Sequence, residues 1–162
     1  MISVRKAERA DAPLLLKLID ALADYESLPR PLPDARERLV HDGWEMTPPR
    51  FQAMLALDGE TPVGYVIFFE TYSTFLAQPT LYLEDFFVVP QARKNGAGPA
   101  LFHAVAREAV KRDCGRMEWA VLDWNQLAID FYQKRGGKHL HDWHSYRLTR
   151  PQLEILVEKH KS

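Results

Sequence analysis

The stretch from Leu81 to Leu101 restricts the possible folds more than any other part of this 162-residue chain. It begins with an aromatic and β-branched run up to Val89, which suits a buried strand although Glu84 and Asp85 interrupt it. A turn with two glycines and two cations follows and leads into an apolar-periodic segment that is typical of a helix. Glycines allow a ligand to approach the backbone closely, and the N–H groups at a helix start attract phosphate. The order strand, loop, helix therefore predicts a phosphorylated ligand bound beside a strand with two carboxylates.

The composition is typical of one globular domain, with 46% apolar and 27% charged residues, and we expect a single domain over residues 1–162. A net charge of −1 gives no global electrostatic support for a nucleic-acid partner. No apolar run approaches the roughly 20 residues of a membrane helix, and the N-terminus lacks the pattern of a signal peptide. The single Cys114 excludes an intrachain disulfide and fits a reducing compartment. We therefore expect a cytoplasmic protein without nucleic-acid or membrane partners.

Periodicity predicts alternating helices and strands along the chain. Expected helices cover about residues 12–25, 34–42 with a stop at Gly43, 97–112, 127–134 and 151–159. Expected strands cover 2–6, 51–57, 62–70, 81–89 and 116–122, with a hairpin turn at Asp58 and Gly59 and a loop over 72–80. A last strand is expected to contain Trp143, Tyr146 and Leu148.

The turn after the acidic strand matches the pattern Arg-x-x-Gly-x-Gly from Arg93 to Gly98. Small residues let successive N–H groups surround a pyrophosphate, and Arg93 and Lys94 add positive charge. It is not a Walker loop, because no Gly-Lys-Ser/Thr follows, and it lacks the full glycine pattern of a dinucleotide fold. The alternative is an ordinary connection between a strand and a helix.

The two carboxylates inside the apolar strand need a partner, solvent or a function, since an isolated buried charge is costly. Neighbouring strand residues face opposite ways, so at most one of Glu84 and Asp85 is expected to point into a given cleft. The structural alternative is an ion pair with Arg116 or Arg147. Glu26 lies at the end of the first helix, and taken by itself it is most simply explained as a solvated acid.

Two polar residues flank a later predicted helix. Asn125 is a natural N-cap, and Tyr132 near the helix end has a hydroxyl that could donate a proton, although it could equally be a core or rim aromatic. The histidines do not form a spaced set of metal ligands, so no metal is expected. Cys114 has no neighbouring base in the sequence and is interpreted as structural.

Taken in order, these segments resemble the GNAT superfamily of acetyl-CoA-dependent N-acetyltransferases. Within it the chain is similar to the spermidine/spermine (diamine) acetyltransferase branch, which includes thialysine-type relatives. The run Tyr-Leu-Glu-Asp-Phe-Phe-Val is specific to this branch. The resemblance rests on Leu22 to Glu26, Tyr72, Tyr82 to Val88, Arg93 to Gly98, Trp124-Asn125, Phe131-Tyr132 and Arg135-Gly136.

The resemblance implies an α/β (α+β) GNAT fold, a central mixed and mostly antiparallel twisted sheet flanked by helices, whose strands ending at Val89 and Leu122 splay apart. It also implies roles: Tyr132 as the general acid for the leaving CoA thiolate, and Glu84 as the general base through a water chain. Residues implied to bind acetyl-CoA are Phe86, Phe87, Val88, Val89, Arg93, Lys94, Asn95, Gly96, Ala97, Gly98, Pro99, Asn125, Gln126, Leu127, Ala128 and Tyr132. Residues implied to face the amine are Tyr25, Glu26, Glu84, Asp85, Glu118, Trp119, Ala120 and His144.

The chain departs from the family's polyamine enzymes on the substrate side. The loop before the signature strand has Tyr72 to Phe75 where they have an acid and a Trp, and His144 aligns with a further acid. Fewer acids weaken the capture of a long polycation, so a diamine or a lysine analogue becomes credible. Two alternatives stay open: acetylation of a protein or peptide amine, and a non-catalytic acyl-CoA-binding module. Members of this branch are commonly homodimers, so a homodimer is expected.

Overall fold

The computed structural model describes residues 1–159, which form five strands and five α-helices. The strands are β1 (Ile2–Lys6), β2 (Gln52–Asp58), β3 (Thr61–Ser73), β4 (Gln78–Val88) and β5 (Arg116–Trp119). The helices are α1 (Ala12–Tyr25), α2 (Pro33–Val40), α3 (Ala97–Lys111), α4 (Gln126–Gln133) and α5 (Arg150–Lys159). The chain divides into two compact units, Met1–Ala120 and Val121–Ser162, which are described separately. A single domain over 1–162 stays a prediction.

The first unit contains one mixed sheet in the order β1-β2-β3-β4-β5. The first three pairings are antiparallel, and β5 lies parallel to β4. The parallel ladder runs only from Thr80 to Leu83, whereas β4 continues to Val88. The last strand ends at Trp119 and not at Leu122, so the predicted strand over 116–122 is too long, and the splay of the two strand ends stays a prediction. This architecture confirms the predicted mixed, mostly antiparallel sheet with flanking helices.

Helix α1 covers one face of the sheet because its apolar residues repeat at helical spacing. Its buried leucines pack with alternate residues of β2 and β3 in the main core, which also includes Phe87 of β4. Full burial of one such leucine stabilises the fold by roughly 1.5–3 kcal/mol. The buried residues of this cluster are Leu15, Leu18, Ile19, Ala53, Leu55, Leu57, Tyr65, Ile67 and Phe87.

A β-bulge interrupts the pairing of β3 with β4. Ile67 lies opposite Asp85, but the next residue, Phe68, lies opposite Leu83, so Glu84 is the extra residue. The expectation that Glu84 and Asp85 simply alternate between the two faces is therefore wrong. The bulge shifts the two-residue period, which places Tyr82 and Asp85 on the same face of the sheet.

Two connections in the first unit differ from the sequence prediction. The loop expected over 72–80 is shorter, because Ser73 pairs with Gln78 and the hairpin extends almost to its turn. Gly43 does not end the second helix, since the chain continues as a π-turn over His41–Glu45. A Cβ at Gly43 would lie 2.7 Å from the Phe51 ring, so a larger residue there would need this ring to move.

The second unit contains α4 and α5 with an irregular segment between them. The expected last strand is wrong, because residues 138–149 contain no strand. Its apolar residues were poor strand candidates: Trp143 and Tyr146 are three positions apart, which breaks the two-residue alternation of a strand. Within residues 1–159, no helix is both long and apolar enough to cross a membrane.

Candidate active site

Acidic side chains collect on the sheet face that α1 partly covers. Asp85 follows the bulge on this face, and the exposed Glu84 lies at the bulge itself. On β5, Glu118 lies opposite Tyr82, so it shares the face, and its charge acts on the Tyr82 phenol. Burial and the carboxylates of Glu84 and Glu118 raise the pKa of Tyr82. This face can therefore attract a cation, and we call Glu84, Asp85 and Glu118 the acidic row.

Asp85 is the most shielded member of the acidic row. The phenol of Tyr65 on β3 donates a hydrogen bond to its Oδ2 over 3.0 Å, and Tyr65 is fully buried. Burial raises the pKa of Asp85 to about 6; the bond from Tyr65 lowers it, and the charges of Glu84 and Glu26 raise it. Asp85 therefore changes its protonation state close to neutral pH.

The C-terminal end of α1 reaches the same region through Tyr25 and Glu26. The Tyr25 ring packs against Phe87 with centroids 5.9 Å apart, and the Arg93 guanidinium lies 4.5 Å from the centre of the Tyr25 ring. Arg93 also donates from Nε to the Val88 carbonyl over 3.1 Å. Burial raises the pKa of Glu26. Arg93 thus connects the loop after β4 to the predicted substrate side.

The opposite face of β4 and β5 is apolar. Phe102 of α3 packs edge-on against Phe86 and against Trp119, with ring centroids 5.7 and 5.5 Å apart. Trp119 therefore lies on the α3 side, away from the acidic row, while the adjacent Ala120 is exposed. The alternative of an ion pair between the β4 acids and Arg116 is not the arrangement found, since Arg116 contacts Glu118 at 3.0 Å.

The loop before α3 has the backbone shape that anion binding needs. Lys94 and Gly96 have positive φ angles of 72° and 92°, and a Cβ at Gly96 would meet no atom within 4 Å. The loop opens directly into the 15-residue helix α3. One donor is already engaged, because the Asn95 side chain accepts a hydrogen bond from the Ala97 N–H over 3.3 Å.

The remaining predicted site residues belong to the second unit. Asn125 is the N-cap of α4, as predicted, and its Oδ1 accepts from the Ala128 N–H over 3.2 Å. Tyr132 is buried near the helix end, and burial raises its pKa to about 12. The phenol therefore keeps its proton at neutral pH, as a general acid must. His144 lies exposed in the irregular segment.

Tyr65 is a residue of the candidate site that the sequence did not predict. Its place on alternate positions with Val63, Ile67 and Phe69 indicates only a core-facing strand residue. The register of β3 against β4, with the bulge, brings its hydroxyl to Asp85, and no local pattern predicts that register.

The family model described as the acetyltransferase (GNAT) family matches residues 15–137, which is most of the chain. The thialysine N-epsilon-acetyltransferase of Bos taurus is 33% identical over 98% of this chain and 98% of its own length. The L-ornithine N5-acetyltransferase NATA1 of Arabidopsis thaliana is 43% identical over 57% of this chain and 41% of its own length.

A solved structure supports the fold independently. AAC(6')-Iy in complex with the bisubstrate analog CoA-S-monomethyl-acetylneamine superimposes with a TM-score of 0.75 at 18% identity, over 92% of this chain and 99% of that chain. The family match, the full-length relative and the mixed sheet followed by a glycine loop and helix agree with one another. The chain belongs to the GNAT acetyltransferase family and is an N-acetyltransferase.

Proposed function

We propose that this enzyme transfers the acetyl group of acetyl-CoA to a primary amine of a small molecule by direct attack in a ternary complex. The acceptor is a lysine analogue such as thialysine, a diamine or a polyamine. The observation that supports this most strongly is the acidic row beside the bulge of β4, with Glu84 exposed and Asp85 shielded behind it. Carboxylates in this place attract an ammonium group to the end of β4.

The acceptor must lose a proton before it reacts. Lysine-like amines titrate near ~10.4, so the ammonium form dominates at neutral pH, and only the free amine can attack a thioester. Glu84 is the general base in this proposal and passes the ammonium proton on through water. Tyr25, Glu26 and Glu118 complete the predicted substrate side. The two relatives named above act, by their names, on side-chain amines of amino acids, which supports a small zwitterionic acceptor.

The CoA moiety is assigned to the loop from Arg93 to Pro99 and the start of α3. The positive φ angles of Lys94 and Gly96 support this assignment, because successive N–H groups then point toward one anion. Backbone groups from Phe86 to Val89 are assigned to the acyl carbonyl and the pantetheine arm, together with Asn125 to Ala128. Donors held in place at the acyl oxygen stabilise the charge that develops there.

Tyr132 is assigned as the general acid that protonates the departing thiolate. The phenol carries its proton at neutral pH, as this role requires, while burial, which raises its pKa, makes it a weaker acid than an exposed phenol. No covalent acetyl-enzyme is required, and Cys114 is not part of the proposal.

We also infer a homodimer. The irregular segment and α5 expose apolar side chains, which is unusual for a monomer when such residues are clustered. They include Trp143, Tyr146, Ile155, Leu156 and Val157, each at least half exposed. A second copy of the chain is the partner proposed for this surface.

Thiol release from acetyl-CoA tests the substrate class. The panel contains thialysine and ornithine, then putrescine and spermidine, then a peptide with a lysine and a free N-terminus. We expect the highest kcat/KM for a member of the first two groups. Preference for the peptide would replace the proposal with a protein acetyltransferase. Tight acetyl-CoA binding without thiol release for any amine would indicate a non-catalytic acyl-CoA-binding module.

A further inference from the structure

The bulge of β4 presents two neighbouring carboxylates in different surroundings. Glu84 is the extra residue of the bulge and is exposed to solvent. Asp85 points into the face covered by α1, and its Oδ2 accepts the bond from the buried Tyr65 phenol at 3.0 Å. Solvent stabilises a carboxylate, whereas a shielded carboxylate is easier to protonate. The two acids are therefore suited to different steps.

We propose that Asp85, positioned by Tyr65, is the group that finally receives the ammonium proton of the acceptor amine, while Glu84 attracts the cation and relays the proton. This inference rests on the proposed function and deepens it. The reacting atoms balance as follows: the R–NH3⁺ group gives one proton to the Asp85 carboxylate and becomes R–NH2. The nitrogen lone pair then forms the bond to the acetyl carbon, the carbon–sulfur bond breaks, and the sulfur leaves as thiolate.

The remaining protons are also accounted for. The new amide nitrogen loses its second proton to water, the thiolate takes the phenol proton of Tyr132, and Tyr132 regains a proton from water. The proton stored on Asp85 returns to solvent after each turnover, which gives the net release of one proton per acetyl transferred. Asp85 thus acts within one cycle and needs no further reactant.

The surroundings of Asp85 support storage of a proton. Three titratable groups act on it: Tyr65 from β3, Glu84 from β4 and Glu26 from the end of α1. The nearby Arg93 is turned onto the rings of Tyr25 and Phe87. The pKa of Asp85 is therefore near 6 instead of 3.8. Its difference from the pKa of a lysine-like amine, ~10.4, is smaller by about two pH units. The equilibrium constant for proton transfer from the bound ammonium group to Asp85 is then about a hundredfold larger than for an aspartate with the ordinary pKa.

The pH dependence of kcat/KM tests the proposal with four variants. In the wild type we expect kcat/KM to fall as the pH decreases, and the midpoint of this acidic limb should lie near pH 6. Tyr65→Phe removes the donor to the Asp85 carboxylate and should move the limb to higher pH. Asp85→Asn should abolish the limb and lower kcat about a hundredfold or more. Glu84→Gln should raise the KM for the amine and lower kcat, because the proton relay is lost, but it should keep the midpoint near pH 6. Glu60→Gln, in the β2–β3 turn, controls for the loss of one negative charge.

A second readout does not depend on turnover. A carbon-13 titration of the Asp85 carboxyl in the free protein should show a midpoint near 6 in the wild type and a higher midpoint in Tyr65→Phe. A midpoint near 4 in the wild type would overturn the inference. So would an acidic limb that persists in Asp85→Asn or disappears only in Glu84→Gln.

The two proposals fail in different ways. If the wild type acetylates no amine in the panel, the proposed function fails, and the inference fails with it. If the wild type is active but the acidic limb of its pH profile is unchanged in Asp85→Asn and Tyr65→Phe, only the inference fails. Two-dimensional amide spectra of each variant verify that a lost activity does not reflect a lost fold.

Discussion

At the residue scale, Tyr132 differs in its burial from Tyr146, the other tyrosine in the sequence of the second unit. It is 9% exposed, whereas Tyr146 is 94% exposed. Removal of the hydroxyl should affect the chemical step and leave the binding of acetyl-CoA nearly unchanged, because a general acid acts in the transition state. We expect Tyr132→Phe to reduce kcat about a hundredfold or more, with the Kd for acetyl-CoA changed by less than about threefold.

Stopped-flow thiol release and calorimetric titration of acetyl-CoA measure the two quantities. Tyr146→Phe is the matched control, since it removes the same hydroxyl from an exposed position in the same unit. Full turnover in Tyr132→Phe would remove its assignment as general acid.

Asp85 should also affect stability, with a sign that follows from its pKa. The folded protein keeps a proton on Asp85 up to about pH 6, while the unfolded chain releases it near 3.8. The folded state therefore binds more protons between these values, and its stability falls as the pH rises through them. Asp85→Asn removes this pH-dependent loss of stability, so the variant should gain stability relative to the wild type between pH 4 and 7. The largest change in slope is about 1.4 kcal/mol per pH unit.

Urea unfolding at several pH values measures this difference. Glu60→Gln should show no comparable change of slope, since Glu60 lies in an exposed turn. A stability difference between wild type and Asp85→Asn that does not vary with pH would contradict the shielded environment of Asp85.

At the element scale, the contact between β3 and β4 fixes the predicted acyl-binding edge. Gly64 lies opposite Val88, and a Cβ there would lie 2.7 Å from the Phe87 carbonyl oxygen and 2.9 Å from a Val88 methyl. Because the contact is partly with backbone, Gly64→Ala should displace β4 at this point. We expect a loss of about 1–3 kcal/mol of stability and a raised KM for acetyl-CoA.

Thermal unfolding and acetyl-CoA titration measure both effects. Gly59→Ala is the control, because it adds the same methyl group where no atom lies within 4 Å. Gly59→Ala measures the stability cost of the added methyl group together with the strain of a positive φ angle. An unchanged acetyl-CoA affinity in Gly64→Ala would show that β4 at Phe87 and Val88 does not form the acyl-binding edge.

The elements themselves were largely predictable, because helical and strand periodicities are local. The helix from Ala97 and the strand containing Tyr82 to Val88 follow the predicted segments within a few residues. The bulge was not predictable, since it depends on the pairing of two strands whose residues are far apart in sequence. The same limit explains why Glu84 and Asp85 were expected on opposite faces, and why Tyr65 was overlooked.

At the scale of the whole molecule, we expect a homodimer. A second copy of the chain would bury the exposed apolar residues of the irregular segment and α5. Light scattering at working concentration should give twice the 18.7 kDa mass of the chain. Replacing Trp143 and Tyr146, at 79% and 94% exposure, by Ser should shift the mass toward one chain. A monomeric mass for the wild type would contradict the dimer.

The central claim is that this chain acetylates a small amine directly from acetyl-CoA. Mass spectrometry of a reaction with acetyl-CoA and thialysine measures the amine product and the intact protein together. The account predicts that singly acetylated thialysine accumulates in step with free thiol, while the protein mass stays that of the unmodified chain. No acetylated amine above the enzyme-free background for thialysine or any other amine of the panel would contradict it, and a protein that gains one acetyl group during turnover would contradict the direct transfer.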